Sequence, residues 1–216
     1  MAAAKACARS TTGSQFGVYG NTPVGTNGLF SATIYGETHL VSKQPDSVYS
    51  HFSLDWHLSP CCALALCDRL VFVRRAQTAR HHGHTWIRDN RTGFDVTLTA
   101  RRYGWTFVTR PRVFYRQIED SDDFMRYGSR NIVFAPWHWT SLEITPYGFF
   151  EWFLDDNPAA RKNDKFDLYI FHHGLSFKVN ENARLLVYYE LQMGKSIVTH
   201  DWAPGHTFGV FYIWRF

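Results

Sequence analysis

The sequence predicts an all-β protein, an antiparallel transmembrane β-barrel of about ten strands, with twelve strands as the alternative. Three observations lead to this fold class. Segments of about 10 to 15 residues alternate apolar with polar side chains, the connectors between them alternate in length, and the last strand has a wholly apolar face. A tilted strand crosses a bilayer with about 9 to 11 residues, so segments of this length suit a membrane barrel.

The composition agrees with interleaved strands. Of the 216 residues, 45% are apolar and 17% are aromatic, yet the mean hydropathy is -0.29. No run approaches the roughly 18 to 20 apolar residues of a membrane helix, so only a closed barrel could carry this chain across a membrane. The length predicts one domain, which we divide into an N-terminal segment over 1–28 and an outer-membrane barrel over 29–216.

Five segments carry the clearest alternation. In the segment 94–101, the polar residues Asp95, Thr97 and Thr99 alternate with apolar residues at the even positions. A strand places two such sets on opposite faces, whereas helical spacing fits none of the five segments. The segments are 30–40, 48–58, 94–101, 141–154 and 184–193.

The connectors alternate between two lengths, as expected of barrels with short periplasmic turns and long extracellular loops. Five long loops that each join two strands predict ten strands and place both termini on the periplasmic side. The segment 15–19 is then left as a periplasmic or capping segment. The predicted short connectors are 58–61, 103–105, 136–140 and 180–182, and the long ones are 42–47, 76–92, 118–123, 155–165 and 194–206. Aromatic residues typical of a membrane-interface girdle lie at the short turns, namely Tyr103, Trp105, Trp137 and Trp139.

The chain ends on a strand whose apolar face reads Val210, Tyr212, Trp214 and Phe216. This face resembles the closing strand of bacterial outer-membrane barrels, in which the terminal Phe belongs to the signal read by the insertion machinery. The resemblance implies an insertion signal at Tyr212, Trp214 and Phe216, a location in the bacterial outer membrane, and two partners: outer-membrane lipid and the barrel-insertion machinery. A buried last strand in a soluble β protein is the alternative. Residues 1–9 lack the roughly 7 to 15 residue apolar core of a secretion signal, so we expect a trimmed or mis-assigned start.

A family resemblance extends over 86–216. It is carried by the order and spacing of several motifs: Asp89-Asn-Arg91, Arg110-Pro-Arg-Val-Phe-Tyr-Arg116, Arg126-Tyr127, Pro136-Trp-His-Trp-Thr-Ser-Leu-Glu143, and 178–192. With these motifs the chain resembles the outer-membrane β-barrel family known as domain of unknown function 2490. The family typically continues Arg126-Tyr127 with Arg-Asn-Arg, whereas this chain has Gly-Ser-Arg. The resemblance implies the barrel fold and no biochemical function.

The polar strand faces supply the candidate functional residues. Antiparallel neighbours bring such side chains opposite one another, and a guanidinium held by a carboxylate is stable inside a narrow lumen. One interpretation is a ladder of ion pairs that fills the barrel, and the other is an arginine track that guides a small anionic solute through a pore. The candidate lumen-lining residues are Asp95, Arg110, Arg112, Arg116, Arg126, Arg130, Glu143, Glu151 and Glu190.

We therefore expect a small outer-membrane barrel of structural or narrow-pore type. The alternatives are an outer-membrane lipid-modifying enzyme, for which Ser141, His138 and Glu143 form a very generic set, and a soluble β-barrel that binds an apolar ligand internally. We predict no catalytic residue, no cofactor, no metal site and no nucleic-acid partner.

Three minor features complete the sequence. The His-His-Gly-His tract at 81–84 is typical of a solvated loop, and the four Cys lack metal-ligand spacing. His172 and His173 take opposite faces of one strand, so one imidazole faces lipid in a simple register. A bulge near Gly174 is expected to repair this.

Overall fold

The computed structural model describes residues 11–25, 28–41, 44–74, 86–119, 122–156, 166–195 and 202–215. These residues form eleven β-strands in one sheet that closes into a barrel. The strands are β1 (Thr11–Val24), β2 (Phe30–Val41), β3 (Gln44–Ser59), β4 (Cys62–Arg74), β5 (Trp86–Arg102), β6 (Trp105–Ile118), β7 (Phe124–Phe134), β8 (Thr145–Asp155), β9 (Phe166–Asn180), β10 (Ala183–Lys195) and β11 (Trp202–Arg215).

The barrel closes through a parallel contact. Strands that follow each other in sequence pair antiparallel, whereas β1 pairs parallel with β11, from Thr11 beside Gly205 to Asn21 beside Arg215. The predicted all-β closed barrel is confirmed, and the sheet is mostly antiparallel. The predicted strand number, ten or twelve, is wrong, because the structure describes eleven strands.

The additional strand is β1, which contains the segment 15–19 that was expected to be periplasmic or capping. On β1 the exposed residues Phe16 and Val18 alternate with Gln15, Gly17 and Tyr19. This strand lies within the predicted N-terminal segment and pairs on both sides with barrel strands. An odd strand number places the described ends of the chain at opposite ends of the barrel, so the prediction of both termini on one side is also wrong.

At one end of the barrel three connectors have two residues each, namely 60–61, 103–104 and 181–182. Tyr103 and Gly104 join β5 to β6 with φ angles of 49° and 79°, the two positive values that a tight hairpin turn with the right twist requires. The connector between β7 and β8 is longer and covers 135–144. The predicted strand over 141–154 is therefore wrong at its start, because β8 begins only at Thr145. Thr140 and Glu143 have φ angles of 62° and 43°, which a strand excludes.

Side-chain polarity is reversed relative to a water-soluble barrel. Large apolar side chains cover the outer face, where Ile34 is 66% exposed and Phe94 is 61% exposed. Charged side chains lie inside, where Asp95 and Glu151 are each only 1% exposed. Soluble monomers rarely expose a continuous apolar surface of this kind, and such surfaces mark contact with another protein or with a membrane.

Aromatic rings fill part of the interior. Tyr147, Tyr188 and Phe211 form one buried cluster, and Tyr35 stacks on Phe211 with ring centroids 5.0 Å apart. No helix in the described ranges is long and apolar enough to cross a membrane.

Candidate functional site

The inner face of β4 to β8 carries a group of ion pairs at about half the barrel height, which we call the central group. The alternation of each strand turns one set of side chains inward, so residues from five neighbouring strands meet. Its members are Arg69 on β4, Asp95 on β5, Arg110 and Arg112 on β6, Arg130 on β7 and Glu151 on β8.

Arg112 joins the two carboxylates of the central group. Its Nη1 lies 2.8 Å from Glu151 Oε1, and its Nε lies 3.8 Å from Asp95 Oδ1. Arg130 binds the other oxygen of Glu151 at 2.8 Å, and Arg69 binds Asp95 Oδ2 at 3.1 Å. Each carboxylate is therefore held by at least two guanidinium groups, which offsets part of the cost of burying it.

A second set, the upper group, lies near the strand ends that adjoin the long connectors. Arg116 Nη2 lies 2.7 Å from Asp89 and its Nη1 lies 3.5 Å from Asp155. Arg126 binds both oxygens of Asp155, at 2.5 and 2.6 Å, and Arg91 binds Asp89 at 2.6 Å. The bidentate geometry fixes both the guanidinium and the carboxylate in orientation.

Aromatic rings cover several of these guanidinium groups. Arg69 lies 4.0 Å from the ring centroid of Phe114, and Arg130 lies 4.5 Å from that of Phe149. Such contacts are stabilising where water is excluded. Phe114 itself fits because β5 presents Gly93 opposite it. A Cβ on Gly93 would overlap the carbonyl oxygen of Val113 and the ring of Phe114.

The two groups together carry more positive than negative charge. Within the described residues they contain seven arginines and four carboxylates. The side chains of Arg110 and Arg130 remain 27% and 33% exposed, whereas that of Arg112 is 2% exposed. The centre of the network is thus buried, and its most exposed side chains are those of Arg110 and Arg130.

A hydrogen-bonded Tyr-His-Glu chain lies beside the central group, on β8, β9 and β10. The hydroxyl of Tyr147 lies 2.9 Å from His172 Nε2, and His172 Nδ1 lies 3.3 Å from Glu190. Phe149 and Tyr188 stack on the two sides of His172, each with centroids 4.1 Å away. All three members of the chain are at most 8% exposed, so a substrate has no open access to them.

The predicted lumen residues fall into three places. The central group contains Asp95, Arg110, Arg112, Arg130 and Glu151, and the upper group contains Arg116 and Arg126. Glu190 belongs to the Tyr-His-Glu chain.

Glu143 is not brought to any of these interior groups. It lies in the connector before β8, with its carboxylate 3.0 Å from Lys178 Nζ. The hydrogen bond from Lys178 lowers the pKa of Glu143. Its predicted place on an inner strand face is therefore wrong, because the backbone at Glu143 is left-handed.

Four charged residues of the network were missed by sequence analysis: Arg69, Asp89, Arg91 and Asp155. Asp89 and Arg91 lie in β5 within the predicted loop 76–92, although they share the parity of Asp95. Asp155 lies four residues after Glu151 on β8 and therefore shares its strand face. That even spacing could have identified Asp155 as an inward residue. The sequence could not identify Arg69 as inward, because its neighbour Asp68 is also charged and the alternation of polar with apolar residues is lost at this point.

His172 and His173 do take opposite faces, without the expected bulge near Gly174. The register shift in the pairing of β9 with β10 lies between Ala183 and Arg184. His173 faces outward beside Tyr189, with ring centroids 5.3 Å apart.

The aromatic residues predicted for the insertion signal and those predicted for the interface girdle lie on the outside of the barrel. On β11 the rings of Tyr212 and Trp214 contact each other at 6.0 Å, whereas Phe216 lies outside the described residues. At the other end of the predicted set, the ring centroid of Trp137 lies 5.6 Å from that of Trp105 and 6.1 Å from that of Trp139. This cluster is consistent with an aromatic girdle.

The remaining candidates show no assembled chemistry. His138 lies 3.2 Å from Thr145, and Glu143 binds Lys178. Throughout the described part of the chain, no three His, Cys, Asp or Glu residues form a group that could hold a metal ion. Cys61, Cys62 and Cys67 are free thiols, while Cys7 and the His tract at 81–84 lie outside the described residues.

Comparisons with known proteins return no match in a scan against family models, in a search of curated proteins, or in a search of solved structures. The resemblance to domain of unknown function 2490 stays a prediction from its motifs. The function is therefore argued from the geometry of this chain.

Proposed function

We propose that this chain is a small bacterial outer-membrane β-barrel of structural type, whose interior is filled by ion pairs. The observation that carries the proposal is the reversed polarity: Ile34, Phe94 and Phe208 face outward at 60% exposure or more, while Asp95 and Glu151 are buried. Burial of apolar surface contributes about 25 cal/mol per Å², so lipid contact stabilises this outer face.

The dimensions of the barrel support a membrane location. Its strands have between 11 and 17 residues, which is long enough to cross the hydrocarbon layer at a tilt. A closed barrel pairs the backbone of every strand, as lipid requires. The outer membrane as location and its insertion machinery as partner are favoured by the terminal face with Tyr212 and Trp214 and by the resemblance of the motifs to domain of unknown function 2490.

The geometry of the ion pairs supports a structural role rather than transport. Asp95 and Glu151 are each bound by several guanidinium groups and are shielded from water. A buried pair of this kind is costly to separate, because one charge is left without compensation. Such side chains hold the walls of the barrel together and leave few hydrated charges to guide a solute.

A narrow anion pathway is the second candidate. It is favoured by the excess of arginine over carboxylate in the network and by the partial exposure of Arg110 and Arg130. Rows of basic side chains favour anions in pores. Conductance across a planar bilayer separates the two candidates, since only an open lumen passes current.

Refolding tests the membrane proposal. We expect the unfolded chain to gain sheet structure when diluted into detergent micelles or lipid vesicles, to float with the vesicles in a density gradient, and to resist protease there. Dilution into buffer without lipid should give aggregates. A monodisperse folded monomer in buffer alone would contradict the proposal and support a soluble β-barrel with an apolar ligand. Specific hydrolysis or acyl transfer on added outer-membrane lipid would instead support a lipid-modifying enzyme.

A further inference from the structure

Five members of the central group form an open series of ion pairs whose two ends lie side by side. Guanidinium and carboxylate groups alternate along this series in the order Arg110, Asp95, Arg112, Glu151 and Arg130. Its end members, Arg110 and Arg130, are direct partners in the register of β6 with β7. Residues opposed in this way on one face have Cβ atoms about 4.5 to 5.5 Å apart. Two guanidinium groups therefore meet where the alternation calls for a negative charge.

Both end guanidinium groups are held in place by the carboxylates next to them. Arg110 Nη2 lies 3.2 Å from Asp95 Oδ2. Arg130 donates to Glu151 Oε2 from Nε at 3.1 Å and from Nη2 at 2.8 Å. Neither arginine can move away from the other without loss of such a contact. Because like charges that are directly opposed destabilise a sheet, this pair requires a counter-charge.

The counter-charge is not supplied by a described side chain. Among the described residues, neither Arg110 nor Arg130 forms an ion pair beyond those of the series. The inward carboxylates of two other strands, Glu37 on β2 and Glu190 on β10, form no ion pair with either arginine in the described ranges. Glu190 is instead held by His172 at 3.3 Å.

Both end arginines keep N–H groups that can donate to an anion. Arg110 Nε is buried and has no hydrogen-bond partner among the described residues. Nη1 of each of the two guanidinium groups likewise makes no hydrogen bond within the described part of the chain. Buried donors of this kind normally have a partner. The two side chains are 27% and 33% exposed, and on the inner face this exposure is toward the lumen, so a small ion there can reach both.

We propose that Arg110 and Arg130 bind one small monovalent anion between them, which closes the series into a ring of alternating charges. The series has three guanidinium groups and two carboxylates, so one monovalent anion makes the ring neutral. The anion accepts charge-assisted hydrogen bonds from both arginines, which are stronger than bonds between neutral groups. The site deepens the proposed function and rests on it, because an anion that stays in place completes a packed interior.

Chloride is the probe that tests this site. Detergent-refolded protein is exchanged into sodium gluconate, whose anion is bulky, and chloride is added at constant ionic strength. Binding is measured as broadening of the chloride NMR line, and stability as the urea midpoint of unfolding. We expect saturable broadening and a higher midpoint in chloride than in gluconate, since a ligand that binds only the folded state stabilises it.

Substitutions at Val108 separate charge from bulk. Val108 lies two residues before Arg110 on the same face of β6, opposite Ile132 on β7. Val108→Glu places a tethered carboxylate beside the two arginines, so the chloride broadening and the midpoint difference should both be lost. Val108→Gln has nearly the same size without the charge and should keep both effects.

A second pair of variants tests the arginine itself. Arg110→Gln removes one of the two guanidinium groups, so both chloride effects should be lost. Arg102→Gln, on the outer face of β5, is the matched control and should keep both. If Arg110→Gln does not refold, the two Val108 variants still decide the matter.

Several results would overturn the anion site. They are a wild type without saturable broadening, a broadening that survives in Arg110→Gln or Val108→Glu, and an equal loss in Val108→Gln and Val108→Glu. Conductance of the same protein across a planar bilayer is measured in parallel. A non-conducting barrel without chloride binding refutes this site alone. A barrel with a steady anion current refutes the proposed structural role and, with it, an anion that stays in place.

Discussion

Arg112 is the residue on which the packed interior depends most. It lies between Asp95 and Glu151, and its side chain is 2% exposed. Arg112→Ala leaves both buried carboxylates with less compensation, so we expect a loss of about 3 to 5 kcal/mol in the free energy of unfolding. Urea titration of detergent-refolded protein measures this free energy of unfolding. Arg102→Ala at the exposed outer rim should change the free energy of unfolding by less than about 1 kcal/mol. Equal, small effects of the two substitutions would contradict a packed network.

Gly93 tests how closely the inner side chains approach the backbone. Because a Cβ at this position overlaps Val113 and Phe114, Gly93→Ala should destabilise the barrel by about 1 to 3 kcal/mol. Gly194→Ala is the control, since nothing lies within 4 Å of a Cβ there. The unfolding midpoints of the two variants provide the comparison. A Gly93→Ala midpoint equal to that of Gly194→Ala would show that the β5–β6 contact is looser than described.

At the residue scale, alternation predicts which face a side chain takes but not whether the strand continues. Glu151 shares the inner face with Asp155, and its parity is visible in the sequence. Glu143 has the same parity and still lies outside the interior, because left-handed backbone at Thr140 and Glu143 ends the pattern. The hydropathy pattern contains no information on backbone φ angles. The wrong placement of Glu143 could therefore not be detected from the sequence.

At the element scale, β5 tests the assignment of inner and outer faces. Leu98 is 43% exposed on the outer face, so Leu98→Arg should cost about 2 to 4 kcal/mol if the site lies near the bilayer midplane. Thr97→Arg and Thr99→Arg face inward and should be tolerated far better. Unfolding of each variant from lipid vesicles measures the cost. Similar costs on both faces would mean that the outer face does not contact lipid.

The last strand makes a separate prediction about assembly. Tyr212 and Trp214 lie on the outer face of β11, and the sequence continues this face to Phe216. Deletion of Phe216 should lower the amount of barrel in the outer membrane of an expressing bacterium, because the proposed insertion signal would be shortened. The same deletion should leave the sheet content of detergent-refolded protein unchanged, as circular dichroism would show. Undiminished membrane levels would argue against a signal at this position.

Strand β1 shows what alternation cannot predict about an element. Its outer residues Phe16 and Val18 are apolar, but Gly13, Gly17 and Gly20 shorten the recognisable pattern. A strand pattern also identifies a face and not a partner, so it could not show that β1 pairs parallel with β11.

The predicted alternation of short and long connectors holds only in part. A long connector was predicted over 42–47, but β3 begins at Gln44, soon after β2 ends at Val41, and the predicted short connector 136–140 extends over 135–144. Turn residues and polar runs identify a connector by composition but do not fix its length.

At the scale of the whole molecule, the closed sheet and its reversed polarity are linked. A barrel has no free edges, so its outer face can be entirely apolar while all backbone groups remain paired. The interior must then hold the polar side chains that alternate with the apolar ones, and here they pair as arginines with carboxylates. The packed interior and the apolar outer face therefore arise from the same strand alternation.

Single-channel recording across a planar bilayer tests the central claim most directly. For the wild-type barrel inserted at known density, we predict no steady conductance, because the ion-pair groups and aromatic rings fill the interior. Arg112→Ala should lower the unfolding midpoint without producing a defined channel. A steady anion-selective conductance of the wild type, lost in Arg112→Ala with no change in the unfolding midpoint, would contradict the account.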